Sequence, residues 1–422
     1  MPPHSFEGLL GVALIAFGAP LLLGLAPRLR VPAVVLEIVA GIVVGPSVLG
    51  WIRVDLPIAV LSTLGLTFLL FLAGMEVDFD RLRGRPLQLA GAGLLLSFVM
   101  AVAAGYASQF LGLVRSPLFL AIILVATSLG LVLPVLKDAG LTGGPFGQMV
   151  IASASLADFG AVILLSLLFS REARSPFTTA VLLLGFTLTI GVTAFTIARA
   201  ERLSTLSMLL RRLQDTTAQI RVRGAVLLLL ALAALAGRFG IELLLASFMA
   251  GSVIALIDRD GQMTHPQFHS KLQAVGYGFL IPIFFVSSGL QFDLRSLLAS
   301  PSGMVKIPVF LAALLVVRGL PAVLYVRDFG RRQAAVAGLL QATSLPFIVA
   351  ATQIGIALNL LQPSTAAALV AAGLLSVVVF PTAALAVAMP PASGEVMPVA
   401  KGEERSMEGT EAEGVTRHDG VL

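Results

Sequence analysis

The sequence predicts an all-α polytopic membrane protein of about thirteen transmembrane helices, built as two inverted six-helix repeats with crossed discontinuous helices. The composition, the distribution of apolar runs and a set of recurring motifs predict this fold. Hydrophobic residues make up 57% of the 422 residues and charged residues 12%, with a mean hydropathy of +0.98. Such a chain lies far from the composition of water-soluble domains. Soluble classes of protein are therefore excluded, and no basic domain is present to bind nucleic acid.

Apolar runs long enough to cross a bilayer occur along most of the chain, bounded by charged residues, Gly or Pro. The candidate spans are at about 9–26, 31–50, 57–75, 87–111, 117–136, 146–170, 177–198, 222–238, 241–257, 272–290, 306–326, 333–358 and 364–388. The first run has no Lys or Arg before it and no small-residue cleavage site after it, so we expect it to stay in the mature protein. Residues 1–390 then form the transmembrane domain, and the Pro-, Gly-, Glu- and Ser-containing residues 391–422 form a short disordered cytoplasmic tail.

Three short motifs recur in one order, 210 to 216 residues later in the chain. Residues 126–129 (ATSL) return at 342–345, residues 74–78 (GMEVD) at 289–293 (GLQFD), and residues 40–43 (AGIV) at 250–253 (AGSV). Chance in an Ala-, Leu- and Gly-rich chain would explain any one of these echoes. Their common order and spacing indicate a repeat. The repeats lie at about 9–170 and 222–388 with a linker helix at 177–198, and they face opposite ways because the echoes join spans that are seven apart.

Lys and Arg residues between the spans decide the orientation. With the N-terminus outside, seventeen of them lie in cytoplasmic loops and seven on the other side. This bias predicts an external N-terminus and a cytoplasmic C-terminus in a bacterial-type inner membrane.

Two ionisable residues lie at the centres of predicted spans: Asp158 in the sixth and Arg318 in the eleventh. An isolated charge at that depth costs about 2.5–3.5 kcal/mol on insertion scales, so such residues face the protein interior or water and are functional candidates. A carboxylate there can hold either a proton or a cation. We expect no other carboxylate at the depth of Asp158. The alternative is that Asp158 and Arg318 form an ion pair that only staples two helices together.

Hydroxyl groups accompany the repeated motif, and a proline follows each copy, Pro134 in one and Pro346 in the other. Hydrophobic segments interrupted at corresponding places in two halves are typical of secondary transporters, whose site lies between two broken helices. Hydroxyls and unwound carbonyls are hard oxygen donors that suit a small cation. The candidate donors beside Asp158 are Thr127, Ser128 and Ser155, with Thr343 and Ser344 on the second interrupted helix. Alternatively, these hydroxyls only satisfy backbone groups freed by local unwinding.

Four segments carry a family resemblance. Residues 36–50 (LEIVAGIVVGPSVLG) resemble the second-helix signature of the monovalent cation:proton antiporter-2 family, which includes Kef-type systems and sodium/proton exchangers. Residues 71–78 (FLAGMEVD) and 282–290 (PIFFVSSGL) resemble its third and tenth helices, and Thr127-Ser128 with residues 133–137 (LPVLK) resembles its fifth. The resemblance covers about residues 8–388.

The resemblance implies a thirteen-helix inverted-repeat fold, a homodimer built on scaffold helices, and a moving core of spans 4–6 and 11–13. It also implies that Asp158 is the cation- and proton-binding aspartate and that Arg318 occupies the basic position of the eleventh helix. The chain departs from the family at Ala157, where relatives carry Asp, Asn or Gln before the aspartate.

These observations lead to the hypothesis of a transporter that exchanges Na⁺ or K⁺ for H⁺ by alternating access, without a cofactor. Asp158 is the predicted site of the monovalent metal ion, and the exchange is electroneutral because Ala157 leaves one carboxylate. Two alternatives remain open, a sodium-coupled organic anion symporter of the same architecture and a sensor that does not transport. An intramembrane enzyme is disfavoured because the spans contain no paired catalytic groups of the protease types.

The charge bias makes a topological prediction. Labels placed at Ser5 and at Ser406 should report opposite sides of the membrane, since an odd number of spans separates them. Accessibility to an impermeant reagent in intact cells, compared with lysed cells, checks it. Labelling of both sites from the same side would contradict the thirteen-span topology.

Overall fold

The computed structural model describes residues 6–25, 32–76, 84–142, 144–168, 219–239, 243–257, 267–299 and 301–388, together with the isolated positions 185, 188 and 191. The described residues form helices joined by turns and short extended stretches, with no β-strand among them. The predicted linker helix at 177–198, apart from those three positions, and the predicted tail at 391–422 lie outside the described residues. Both stay predictions.

The first half of the chain contains seven described helices. They are α1 (Glu7–Leu25), α2 (Ala33–Val44), α3 (Leu56–Met75), α4 (Gly84–Phe110), α5 (Pro117–Val125), α6 (Leu129–Asp138) and α7 (Pro145–Leu168). The predicted fifth span is thus two helices, α5 and α6, separated by a short unwound stretch.

The second half begins, among the described residues, at Gln219. Its helices are α8 (Ile220–Phe239), α9 (Leu243–Ile257), α10 (Gln267–Val275), α11 (Ile281–Leu290), α12 (Leu294–Ala299), α13 (Pro301–Leu314), α14 (Val326–Gln341), α15 (Pro346–Ala357) and α16 (Pro363–Ala388). A π-helical turn, Gly276–Leu280, joins α10 to α11, and a second one, Leu315–Gly319, follows α13 and leads into the 3₁₀ segment Leu320–Tyr325. The predicted twelfth span is divided between α14 and α15, as the fifth is between α5 and α6.

Local sequence explains where several helices begin. Asp55 caps α3, since its side chain accepts a hydrogen bond from the Ile58 amide at 3.0 Å, and Pro57 follows in the first turn. Pro117 and Pro346 open α5 and α15, positions where the missing N–H of proline would have no helical partner in any case. Capping and proline thus fix helix starts that hydropathy alone leaves undefined.

Hydropathy and length identify eight membrane-spanning candidates within the described residues, with three shorter apolar helical stretches at Ala33–Val44, Pro117–Leu133 and Leu243–Leu256. One of the eight candidates runs from Gly303 to Ala357 and contains the break between α14 and α15. The number of candidates is therefore not the number of times the chain crosses the membrane. The all-helical membrane fold predicted from the sequence is confirmed. The number of thirteen helices stays a prediction.

Two pairs of helices cross with their backbones in direct contact, and glycine makes each contact possible. In the crossing of α2 with α11, a Cβ on Gly41 would collide with the Val286 carbonyl oxygen, and one on Gly289 with the Ile38 carbonyl oxygen. In the crossing of α3 with α9, a Cβ on Gly74 would collide with the Phe248 carbonyl oxygen, and one on Gly251 with the Phe71 carbonyl oxygen. Small residues allow this close approach in membranes, where helix association depends on van der Waals packing.

These two crossings are related by the sequence echoes. Matching Gly41 with Gly251, and Gly74 with Gly289, converts the contact between α2 and α11 into the contact between α9 and α3. An inverted repeat requires this correspondence. The repeat itself stays a prediction, now with a pair of equivalent contacts in its favour.

Hydrogen bonds between loops of the two halves join segments that the charge bias assigns to one side. Arg85 before the fourth predicted span forms a two-pronged ion pair with Asp328 before the twelfth, at 2.9 and 3.2 Å. On the side predicted to be external, the Ser47 hydroxyl donates to the Phe292 carbonyl at 2.6 Å. Within the second half, Lys306 donates to the Thr365 hydroxyl at 2.8 Å on that same predicted side. Each of these contacts joins segments that the predicted alternation assigns to one side.

The glycine crossings predict an unusual response to alanine. Gly251→Ala should destabilise the folded protein by about 1–3 kcal/mol, because the added methyl group must push α3 and α9 apart. Gly237→Ala in α8 is the matched control, since a Cβ there meets open space. Alanine is the better helix former, so this variant should be as stable as the parent protein or more so. The measurement is the thermal unfolding midpoint of purified protein in detergent, and equal midpoints for the two variants would contradict the close crossing.

Candidate functional site

The candidate site lies where two helices are interrupted. The first interruption is Ala126–Ser128 between α5 and α6, where Ala126 has extended backbone angles (φ −64°, ψ 142°). The second runs from Ala342 to Leu345 between α14 and α15, with Leu345 at φ −142°, ψ −56°. Pro346 accounts for the second break, because proline disfavours helical angles in the residue before it and cannot donate a backbone hydrogen bond.

The two interruptions bind one another. The Ser128 amide donates to the Thr343 carbonyl at 3.1 Å, and the Thr127 hydroxyl donates to the Gln341 carbonyl at 2.9 Å. Each unwound stretch therefore satisfies polar groups that the other has lost from its helix. Such mutual satisfaction is what a lipid-embedded protein requires of non-helical backbone.

Asp158 on α7 reaches this crossing. The Leu129 amide, at the start of α6, donates to Asp158 Oδ2 at 3.1 Å. The free amides and the positive end of the helix dipole at a helix N-terminus stabilise a negative charge there. The other carboxylate oxygen, Oδ1, is buried and has no hydrogen-bond partner. One half of the carboxylate is thus fixed by the protein, and the other half remains available to a ligand.

Arg318 approaches the same crossing from the opposite direction. It lies in the π-helical turn Leu315–Gly319 and is 2% exposed. Its Nε donates to the Thr127 hydroxyl at 2.7 Å and its Nη1 to the Ser97 hydroxyl at 3.1 Å. A π-turn inserts one extra residue in a helix and often occurs at functional sites. Here the turn places the Arg318 guanidinium against the Thr127 hydroxyl, which links the first interruption to the Gln341 carbonyl before the second.

Arg318 and Asp158 form no direct ion pair in the described part of the chain. The alternative in which Asp158 and Arg318 only staple two helices together therefore lacks the direct ion pair that it requires. The Thr127 hydroxyl links Arg318 to the second interruption. Its donation to the Gln341 carbonyl also fits the other alternative, in which a hydroxyl satisfies freed backbone.

A cavity of about 70 Å³ opens beside Asp158. A buried water needs only about 10–15 Å³ of such space, so there is room for a cation with part of its hydration shell. The polar residues that line the cavity are Glu76, Thr127, Ser128, Asp158 and Tyr277. Its apolar wall includes Phe248, Phe285 and Phe347. Carboxylate and hydroxyl oxygens thus converge on a space with mostly apolar walls, which is the chemistry of a site for a small hard cation.

The structure brings together some of the predicted site residues and leaves others apart. Asp158, Thr127 and Ser128 line the cavity. Ser155 is buried on α7 but is not among the lining residues, because the cavity extends from Asp158 along α7 towards Val162, away from Ser155. The side chains of Thr343 and Ser344 are also absent from the lining; Thr343 contributes its carbonyl to the crossing.

Two polar lining residues, Glu76 and Tyr277, were not predicted from the sequence. Glu76 follows the last residue of α3, and its position at the end of an apolar run resembles that of an ordinary terminal charge. Tyr277 lies in the π-turn Gly276–Leu280, which changes the face that its side chain occupies. A signal for Glu76 was its place in a recurring motif whose second copy has Gln291 instead. The prediction of a single carboxylate at the site is therefore wrong, because the cavity has two.

Comparison with known proteins agrees with this architecture. YjbQ of Bacillus subtilis is 29% identical over 385 residues, which cover 88% of this chain and 61% of that protein. The chain thus spans less than two thirds of the length of that relative. The Na⁺/H⁺-K⁺ antiporter GerN of Bacillus cereus is 28% identical over 304 residues, covering 68% of this chain and 72% of GerN.

Among solved structures, the fold is similar to that of the sodium proton antiporter MjNhaP1 from Methanocaldococcus jannaschii. The TM-score is 0.59 at 16% identity, and the match covers 90% of this chain and 97% of MjNhaP1. The sequence profile described as "Sodium/hydrogen exchanger, transmembrane" matches residues 13–388. The resemblance drawn from residues 36–50, 71–78 and 282–290 is confirmed at this level, and the chain belongs to the sodium/hydrogen exchanger transmembrane family.

Proposed function

We propose that this protein exchanges a monovalent cation, Na⁺ or K⁺, for H⁺ by alternating access, and that Asp158 is the residue that binds each of them in turn. The observation that carries the proposal is the buried, unpartnered Oδ1 of Asp158, a residue that lines a cavity at the crossing of two interrupted helices. A buried carboxylate oxygen without a partner is costly unless a proton or a cation occupies it. Family membership and the relatives named as antiporters support the same activity.

Each proposed ligand has a distinct role. Asp158 supplies the charge, and the Ser128 and Thr127 oxygens supply neutral donors from the first interruption. Arg318 holds Thr127 in place through its Nε and thereby positions the crossing. Thr343 supports the crossing through its carbonyl, which accepts from the Ser128 amide, whereas the buried side chains of Ser155 and Ser344 do not line the cavity.

The setting of this activity is part of the proposal. The protein works as a homodimer in the lipid bilayer of a bacterial-type inner membrane, with the N-terminus outside and the C-terminus in the cytoplasm. The Lys and Arg bias supports this orientation, and the loop pairs that join the two halves are consistent with it.

Asp158→Asn should abolish cation-driven proton movement while the protein still folds. The amide preserves the volume of the side chain but cannot exchange a proton or carry the charge that binds a cation. The measurement is proton flux in proteoliposomes containing a pH-sensitive dye, after addition of Na⁺, K⁺ or an inert salt. Asp328→Asn, which removes a carboxylate from a surface ion pair with Arg85, is the control and should retain transport. Wild-type flux in the Asp158 variant would refute the assignment.

Exchange should be insensitive to membrane potential. In the proposed cycle Asp158 alone releases a proton when the cation binds, and Glu76, the other carboxylate of the cavity, keeps its protonation state, so one proton exchanges for one monovalent cation. Arg318 stays protonated and does not supply a second proton. The potential acts only on net transferred charge, at about 2.3 kcal/mol per charge per 100 mV.

Na⁺-driven proton flux in liposomes clamped with valinomycin at zero and at a large negative potential checks this point. Equal rates and an equal end point are expected. A severalfold change in rate, or a shifted equilibrium, would show that a second charge moves in each cycle.

A further inference from the structure

Glu76 and Tyr277 are the two polar lining residues without a role in the proposed exchange, and of the two only Glu76 carries a carboxylate. It follows α3 directly, and its amide closes that helix by donating to the Leu72 carbonyl at 3.1 Å. Its side chain lines the same cavity as Asp158. Like Asp158, it has one buried carboxylate oxygen, Oε2, with no hydrogen-bond partner.

Its counterpart in the second half shows what a purely structural residue does at this position. The motif that contains Glu76 returns with Gln291, which follows the last residue of α11 in the same way. The Gln291 side chain is exposed and bonds its own helix, with Nε2 donating to the Ser287 carbonyl at 3.3 Å and to the Ser287 hydroxyl at 3.2 Å. A helix end of this type therefore needs no carboxylate. The charge at Glu76, with an unsatisfied oxygen, needs another explanation.

The cavity supplies that explanation. Two carboxylates that face one space of about 70 Å³ repel each other, and each bears a buried oxygen without a donor. A bound monovalent cation reduces both penalties, because it lies between the two negative charges and coordinates the free oxygens. Ala157 offers no side-chain ligand on α7, and the Thr127 and Ser128 oxygens are neutral, so a second charged ligand comes from another helix.

We propose that Glu76 is the second cation-binding carboxylate: it lines the cavity from the end of α3 and holds a partly hydrated monovalent cation together with Asp158. This inference rests on the proposed exchange and adds a ligand to the same site. The cation then bridges two separate helices, α3 and α7. Glu76 supplies the polar side chain that is missing at Ala157.

The position of Glu76 also limits its role. α3 is joined to α9 by backbone contacts at Gly74 and Gly251, whereas Asp158 belongs to α7, which packs on α4, α5, α6, α9 and α14. In this proposal Glu76 binds the cation from the α3–α9 pair and Asp158 binds it from α7. Glu76 strengthens cation binding in the state seen here without adding a second transported proton.

The test separates cation affinity from turnover. Glu76→Gln copies the residue found at the equivalent helix end, so it should fold, and it should raise the apparent KM for Na⁺ or K⁺ about tenfold while the maximal rate changes less. Glu76→Asp keeps the charge on a shorter side chain and should recover part of the affinity. Glu37→Gln is the matched control, because Glu37 is a buried carboxylate of the neighbouring α2 that does not line the cavity, and it should keep the wild-type KM.

A binding measurement without transport completes the test. Na⁺ and K⁺ should stabilise the purified wild-type protein against thermal unfolding, and about tenfold more cation should be needed for the same stabilisation in Glu76→Gln. Wild-type KM and wild-type stabilisation in that variant, or equal losses in Glu76→Gln and Glu37→Gln, would overturn the role of Glu76. If the wild-type protein shows no cation-driven proton flux, or if Asp158→Asn transports normally, the proposed exchange itself is refuted instead.

Discussion

The mutual satisfaction of two interrupted helices is the interaction on which the site depends. A transmembrane chain can leave the helical conformation only where its freed amides and carbonyls find other partners. Here the Ser128 amide finds the Thr343 carbonyl, and the Thr127 hydroxyl finds the Gln341 carbonyl. This arrangement frees the N-terminus of α6 to face Asp158 and gives Arg318 an oxygen to hold. Without the crossing, neither the aspartate nor the arginine would have its present partner.

Around this crossing the molecule combines tight and loose packing. Backbone contacts at Gly41, Gly289, Gly74 and Gly251 join α2 to α11 and α3 to α9, and such contacts leave little freedom for sliding. The cavity lies next to one of these rigid pairs, with Phe248 of α9 in its wall and Glu76 at the end of α3. The cavity is thus bounded on one side by two helices whose backbones are in direct contact.

The sequence predicts the site residues that are energetically costly in a membrane span or that belong to a recurring motif. Asp158 and Arg318 stand out because a charge deep in a span is expensive, and Thr127 with Ser128 because a hydroxyl motif recurs in two halves. Glu76 does not stand out, since at the end of a span a charge is cheap and needs no explanation. Tyr277 depends on a π-turn, which shifts the helical face by one residue and leaves no clear mark in the hydropathy. Ser155 shares a helical face with Asp158, but periodicity does not reveal in which direction along α7 the cavity extends.

The crossing also bears on how the protein is made. Thr127 and Gln341 are 214 residues apart, and a membrane protein is inserted as it is synthesised, from the N-terminus onward. When α5 and α6 have entered the bilayer, their unwound junction has no partner until the ribosome has produced the second interruption. The first half therefore waits in the membrane with unpaired polar backbone, which favours continued shelter by the insertion machinery or by water. Assembly of the crossing, and of the proposed ion site beside it, is then among the last folding events, and a chain truncated before residue 341 lacks the partners of Thr127 and Ser128.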